Sequence, residues 1–80
     1  MVNWQDRITT DPGILLGKPI IKGTRLSVEF LLERLANGWS TDMLLANYPR
    51  LSGEDIMALF AYTLDGLKDG LFLPVRKGGA

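Results

Sequence analysis

The stretch Leu16-Gly17-Lys18-Pro19-Ile20-Ile21-Lys22-Gly23-Thr24-Arg25-Leu26-Ser27-Val28 sets tight-turn residues, two lysines and an arginine directly ahead of a helical pattern. Gly17-Lys18-Pro19 bends the chain and then locks φ, and Ile20-Ile21 supplies β-branched residues suited to a short strand. Lys22-Gly23-Thr24 turns again, and Arg25-Leu26 is expected to return as a second short strand, so residues 14–27 read as a basic β-hairpin. Ser27 has the side chain to accept a backbone N–H at the start of a helix beginning at Val28.

Val28, Leu31, Leu32 and Leu35 fall at i, i+3, i+4 and i+7 and predict a helix over about 28–37. Glu29 favours the positive end of its dipole, and Gly38 is placed to end it in a left-handed conformation. Ser40 caps a short second helix, about 41–48, with Trp39 and Leu44 spaced as a hydrophobic staple and Pro49 closing it. Ser52 caps a third helix, about 53–69, with Glu54 and Asp55 in its first turn and Leu51 spaced to staple Ile56. Its expected buried stripe is Ile56, Leu59, Phe60, Thr63, Leu64 and Leu67, with Gly53, Glu54, Asp55, Ala58, Ala61 and Tyr62 on the other side. Gly70 is the expected stop. The chain thus reads as a single domain over 1–70 and a C-terminal tail over 71–80, apolar from Leu71 to Val75 and then basic at Arg76-Lys77.

A long helix, a glycine turn, a short helix, a proline-containing turn and another long helix make a mostly α chain with the arrangement of a trihelical helix-turn-helix domain. A small bundle of three amphipathic helices is the alternative. In 80 residues there is neither cysteine nor histidine. Zinc sites of the usual type, disulfides, cysteine nucleophiles and His-based triads are therefore excluded. A domain of this length buries only roughly 60% of the surface its unfolded chain exposes. With 46% hydrophobic residues and no covalent or metal staple, a homodimer or larger assembly is expected. No apolar run reaches the length of a signal peptide or a membrane span, so the expected location is the cytoplasm.

Net charge is zero, yet its placement is uneven. Residues 1–27 carry +2, residues 28–52 carry −1 and residues 53–70 carry −3, with Arg76 and Lys77 restoring the balance. Any phosphate-facing surface should therefore use the N-terminal segment, where Lys18, Lys22 and Arg25 are the candidate nucleic-acid contacts. Arg25 also has a structural role open to it, bracing the hairpin against Glu29 or a helix C-terminus. Helices that read bases present Arg, Lys, Asn or Gln near their N-terminal end, whereas the third helix here presents Glu54 and Asp55. Those acids are adjacent, point in different directions and are explained by the helix dipole, so they propose no catalytic pair, and no enzyme activity, metal or cofactor is expected. Trp39 and Tyr48 sit beside turns and read as core caps, while Trp4 is a candidate cover for a subunit interface.

Asp11-Pro12-Gly13, the run Gly17-Lys18-Pro19-Ile20-Ile21-Lys22-Gly23-Thr24-Arg25, then Gly38-Trp39-Ser40, Asn47-Tyr48-Pro49-Arg50-Leu51-Ser52 and Asp55-Ile56 resemble the signature of the domain-of-unknown-function 433 family. The resemblance covers about Ile8 to Leu67. It implies a homeodomain-like helix-turn-helix fold with an N-terminal β element, and a role as the antitoxin of a VapBC-like toxin–antitoxin pair. The implied partner is a PIN-like ribonuclease toxin. Such active sites resemble carboxylate clusters around a divalent metal, which a cationic side chain can neutralise. Arg76 and Lys77 are the candidates for that role, with Leu71, Phe72, Leu73 and Val75 as apolar anchors; the alternatives are an apolar run folded back onto the same domain or a second subunit, and a solvated Arg76-Lys77 end. The alternative function is a DNA-binding regulator that uses the basic hairpin.

Overall fold

Two adjacent isoleucines tie the N-terminal third of the chain together. In the computed structural model, which describes residues 2–70, Ile20–Ile21 forms a strand, β2, antiparallel to Ile8–Thr9, β1, in the register Ile8 to Ile21 and Thr9 to Ile20. The ladder of the hairpin thus runs to a strand upstream of the turn stretch, not to Arg25-Leu26. The expected return leg contributes a single bridge, Ile20 to Ser27, and the Ile21 N–H donates to the Leu26 carbonyl at 3.0 Å. Ile8-Thr9-Thr10 is itself a β-branched run with a preference for extended backbone, and pairing buries Ile8 and both isoleucines of β2. Between the strands, the Gly13 N–H donates to Asp11 Oδ1 at 2.8 Å, and Leu15–Gly17 forms one tight 3-10 turn. Leu15 (φ 48°), Leu16 (φ 57°) and Gly17 (φ 80°) are all left-handed there.

Three helices follow: α1, Val28–Ala36; α2, Thr41–Asn47; and α3, Gly53–Lys68. Each ends one residue earlier than the sequence pattern suggests, with Asn37, Tyr48 and Asp69 as the half-helical flanking residues. All three starts are capped by serine. Ser27 Oγ accepts from the Phe30 N–H, Ser40 Oγ from Met43 and Ser52 Oγ from Asp55, each satisfying an amide that has no partner inside its helix. Asp55 returns the favour by accepting the Ser52 N–H at 3.0 Å, which completes a capping box. Gly38 adopts φ 97°, the left-handed stop that turns α1 toward α2.

The core gathers Ile8, Ile21, Val28, Leu31, Leu44, Leu51, Ile56 and Leu59 from both strands, all three helices and the α2–α3 junction, with Ile21, Leu31, Leu44 and Leu59 fully enclosed. The inward face of α3 differs from the expected stripe. Ile56 and Leu59 are buried as expected, but Asp55, Ala58, Ala61 and Gly66 are buried with them, and Tyr62 packs against the core. Phe60, Leu64 and Leu67 face outward. The cause is the N-terminal arm: a 3-10 turn, Trp4–Asp6, docks on α3. The Trp4 Nε1–H donates to Asp65 at 2.6 Å, and its ring meets Tyr62 edge-to-face at 4.9 Å. Trp4 therefore covers its own third helix. Small residues at 58, 61 and 66 let neighbouring elements approach closely, an advantage that a count of large apolar side chains does not register.

Candidate functional site

The β2 turn and the junction between α2 and α3 converge on one groove of about 750 Å³. Gly23, Thr24, Arg25 and Leu26 form one wall; Asn47, Tyr48, Pro49 and Arg50 form the other; Thr9, Asp11, Ile14 and Ile20 close it. Each wall has a local reason for its shape. The Thr24 hydroxyl donates to the Ile21 carbonyl at 2.8 Å and accepts the Leu26 N–H at 3.0 Å, which holds the turn, while Gly23 adopts φ 78°. On the other side, Pro49 ends α2, and the Leu51 N–H donates to the Tyr48 carbonyl at 2.9 Å. Arg50 joins the walls by donating from Nη1 to the Gly23 carbonyl at 3.1 Å. Behind the groove, Tyr48 stacks on Trp39 at 6.2 Å and meets Phe30 edge-to-face at 5.8 Å. The Arg34 guanidinium lies over both Phe30 and Trp39, so the junction is braced by a cation and three rings.

Arg25 is exposed and has no ion pair among the described residues. With Arg50 it gives the groove two guanidinium groups above an apolar floor, a pairing suited to an anionic group carried on an apolar body. Arg50 and Asn47 were not among the sequence candidates. Arg50 lies 27 residues from Gly23, and nothing in its local pattern signals that neighbour.

The three basic residues of the turn stretch do not form one patch. Lys18 pairs with Glu29 at 3.0 Å across an exposed surface, taking the partner that the sequence offered to Arg25. Lys22 lines a separate polar hollow with Asp6, Arg7, Glu54 and Asp55. In that hollow Arg7 donates to Asp55 at 3.1 Å and to Glu54 at 2.9 Å. The hydrogen bond to Asp55, reinforced by the charge of both acids, raises the Arg7 pKa against the opposing effect of partial desolvation. Asp55 is therefore spent on a structural pair, and Lys22 is set beside carboxylates that oppose phosphate. The candidate toxin contacts Leu71, Phe72, Leu73, Val75, Arg76 and Lys77 lie outside the described residues.

Residues 8–63 match the family model described as "Protein of unknown function (DUF433)". The chain belongs to the DUF433 family. Every residue that lines the groove, from Thr9 to Arg50, falls inside that match. The fold is similar to the crystal structure of a DUF433 member from Anabaena variabilis ATCC 29413, with a TM-score of 0.74 and 34% identity over 81% of this chain and 64% of that one. The uncharacterized protein y4eO of Sinorhizobium fredii (strain NBRC 101917 / NGR234) is 34% identical over 55 residues, which are 69% of this chain and 25% of that protein. The chain thus spans a quarter of y4eO and just under two thirds of the Anabaena protein. Among the described residues, this DUF433 chain gathers no group of three or more acidic, His or Cys side chains able to hold a metal. None of its described helices is long and apolar enough to cross a membrane.

Proposed function

We propose that this DUF433 chain works by protein contact, as the antitoxin of a VapBC-like pair that binds and neutralises a PIN-like ribonuclease toxin. Its three helices serve as a homeodomain-like helix-turn-helix scaffold. The observation that supports contact with protein is the exposed surface of α3, the position of the reading helix in such a scaffold. It carries Met57, Phe60, Leu64 and Leu67 beside Glu54, where a base-reading helix carries Arg, Lys, Asn or Gln. In this reading Leu71, Phe72, Leu73 and Val75 anchor the tail on the toxin, and Arg76 and Lys77 neutralise its metal-binding carboxylates. The protein acts in the cytoplasm as a homodimer. Co-purification with the product of the adjacent gene, followed by a ribonuclease assay of that product with and without this chain, tests the reading. A stable complex with suppressed ribonuclease activity is expected, lost on truncation after Gly70. The absence of both complex and ribonuclease activity overturns it.

A second reading, a nucleic-acid-binding regulator, draws on the Arg25–Arg50 groove. Salt-dependent duplex binding that weakens in Arg25→Glu and Arg50→Glu, more than in Lys18→Glu, is its signature, because Lys18 already has a carboxylate partner.

A further inference from the structure

Seven large hydrophobic side chains are exposed among the described residues, and four of them lie on one line of α3: Met57 (55% exposed), Phe60 (45%), Leu64 (39%) and Leu67 (58%). Their spacing, three, four and three residues, is that of two consecutive heptads with apolar a and d positions. The opposite face of the same helix is already filled by the chain's own core. We propose that this outer stripe is the interface with a second copy of this chain, α3 packing antiparallel to its twin about a two-fold axis that passes near the middle of the helix.

The residues specify the direction as well as the surface. Antiparallel pairing sets each a position against a d position, so Met57 meets the partner's Leu67 and Phe60 meets the partner's Leu64, and the two-fold repeats both layers. A large residue then faces a smaller one in the central layers. The flanking positions agree. At each end Glu54 falls opposite the partner's Lys68. Glu54 contacts Arg7 through Oε2 only and is largely exposed, and Lys68 is exposed with no ion pair among the described residues. Both groups are thus available to pair. A parallel alignment would instead set Phe60 on Phe60 and the two helix dipoles side by side in the same direction. A separate groove of about 430 Å³ between α3 and α1 is lined by Leu32, Ala36, Tyr62 and Thr63 together with Glu29 and Glu33. An isologous interface of this kind closes on itself and leaves the Arg25–Arg50 groove outside it.

The proposal rests on the homodimer of the proposed function and spends the α3 surface on it, which leaves toxin contact in that reading to residues 71–77; its test needs no toxin. The mass of the full chain is measured by light scattering for the wild type and for Leu64→Glu, with far-UV circular dichroism on both. Twice the chain mass is expected for the wild type, and the single chain mass with unchanged helix content for Leu64→Glu. Direction is read from cysteines, since the chain has none of its own. Met57→Cys and Leu67→Cys proteins are mixed, oxidised and weighed by mass spectrometry. The mixed disulfide should dominate. A monomeric wild type, a Leu64→Glu protein that keeps the dimer mass, or same-variant disulfides in place of the mixed one would each overturn the proposal.

Discussion

The inner and outer faces of α3 are both apolar, yet they answer to different constraints. On the inner face two acids have fixed partners within the chain: Asp55 is held by Arg7 and the Ser52 amide, and Asp65 by Trp4. Its apolar members sit among small residues that permit close packing. On the outer face, large flexible side chains stand half-exposed with no covering element among the described residues. The inner face is what the chain needs in order to fold, and the outer face is left uncovered among the described residues. Hydrophobicity alone does not distinguish the two.

Substitutions separate the faces by the size of their effect on chemical unfolding, measured at chain concentrations too low for assembly. Leu59→Ala empties a fully enclosed position and should cost about 2–5 kcal/mol; a loss below 1 kcal/mol would mean that the inner face is not the core. Asp55→Ala removes one half of the capping box together with the buried end of the Arg7 pair, for an expected cost of about 1–3 kcal/mol. The melting of α3 from its N-terminal end, followed by amide exchange at residues 53–56, is the specific readout. Trp4→Phe keeps an aromatic ring but removes the indole N–H and its hydrogen bond to Asp65. A loss of about 1 kcal/mol is expected, and an unchanged midpoint would detach the N-terminal arm from the inner face. Leu67→Gln on the outer face should stay within about 0.5 kcal/mol of the wild type. A larger cost would show that this face is also part of the monomer's own packing.

Helix placement was legible in the sequence because each boundary rests on a local device. Ser27, Ser40 and Ser52 cap, Gly38 turns left-handed and Pro49 blocks propagation, and each of these acts within four residues of the bond it controls. The rotation of α3 was not legible. Phe60, Leu64 and Leu67 fit a helical apolar stripe as well as the residues that are in fact buried, and the choice was made by Trp4, some sixty positions away. The strand partner of Ile20–Ile21 was missed for a related reason. The turn next to it gave the nearer signal, although the β-branched run at Ile8 was present.

The candidate site divides along the same line. The turn chemistry of Gly23-Thr24 and the exposure of Arg25 follow from adjacent residues, and the basic character of the stretch is plain from its composition. Its apparent unity is not preserved in three dimensions: Lys18 is taken by Glu29, Lys22 enters the acidic hollow, and Arg25 gains Arg50 as a neighbour.

By itself the sequence determined the three helices, their caps, the absence of cysteine and histidine chemistry, and the family. Each depends on residue identity or on interactions a few positions apart. Only the tertiary structure decided which face of α3 is spent on the core, which strand pairs with β2 and which cations share a groove. Those outcomes are set by contacts between residues distant in the chain, where several arrangements satisfy the same local preferences and close packing selects one.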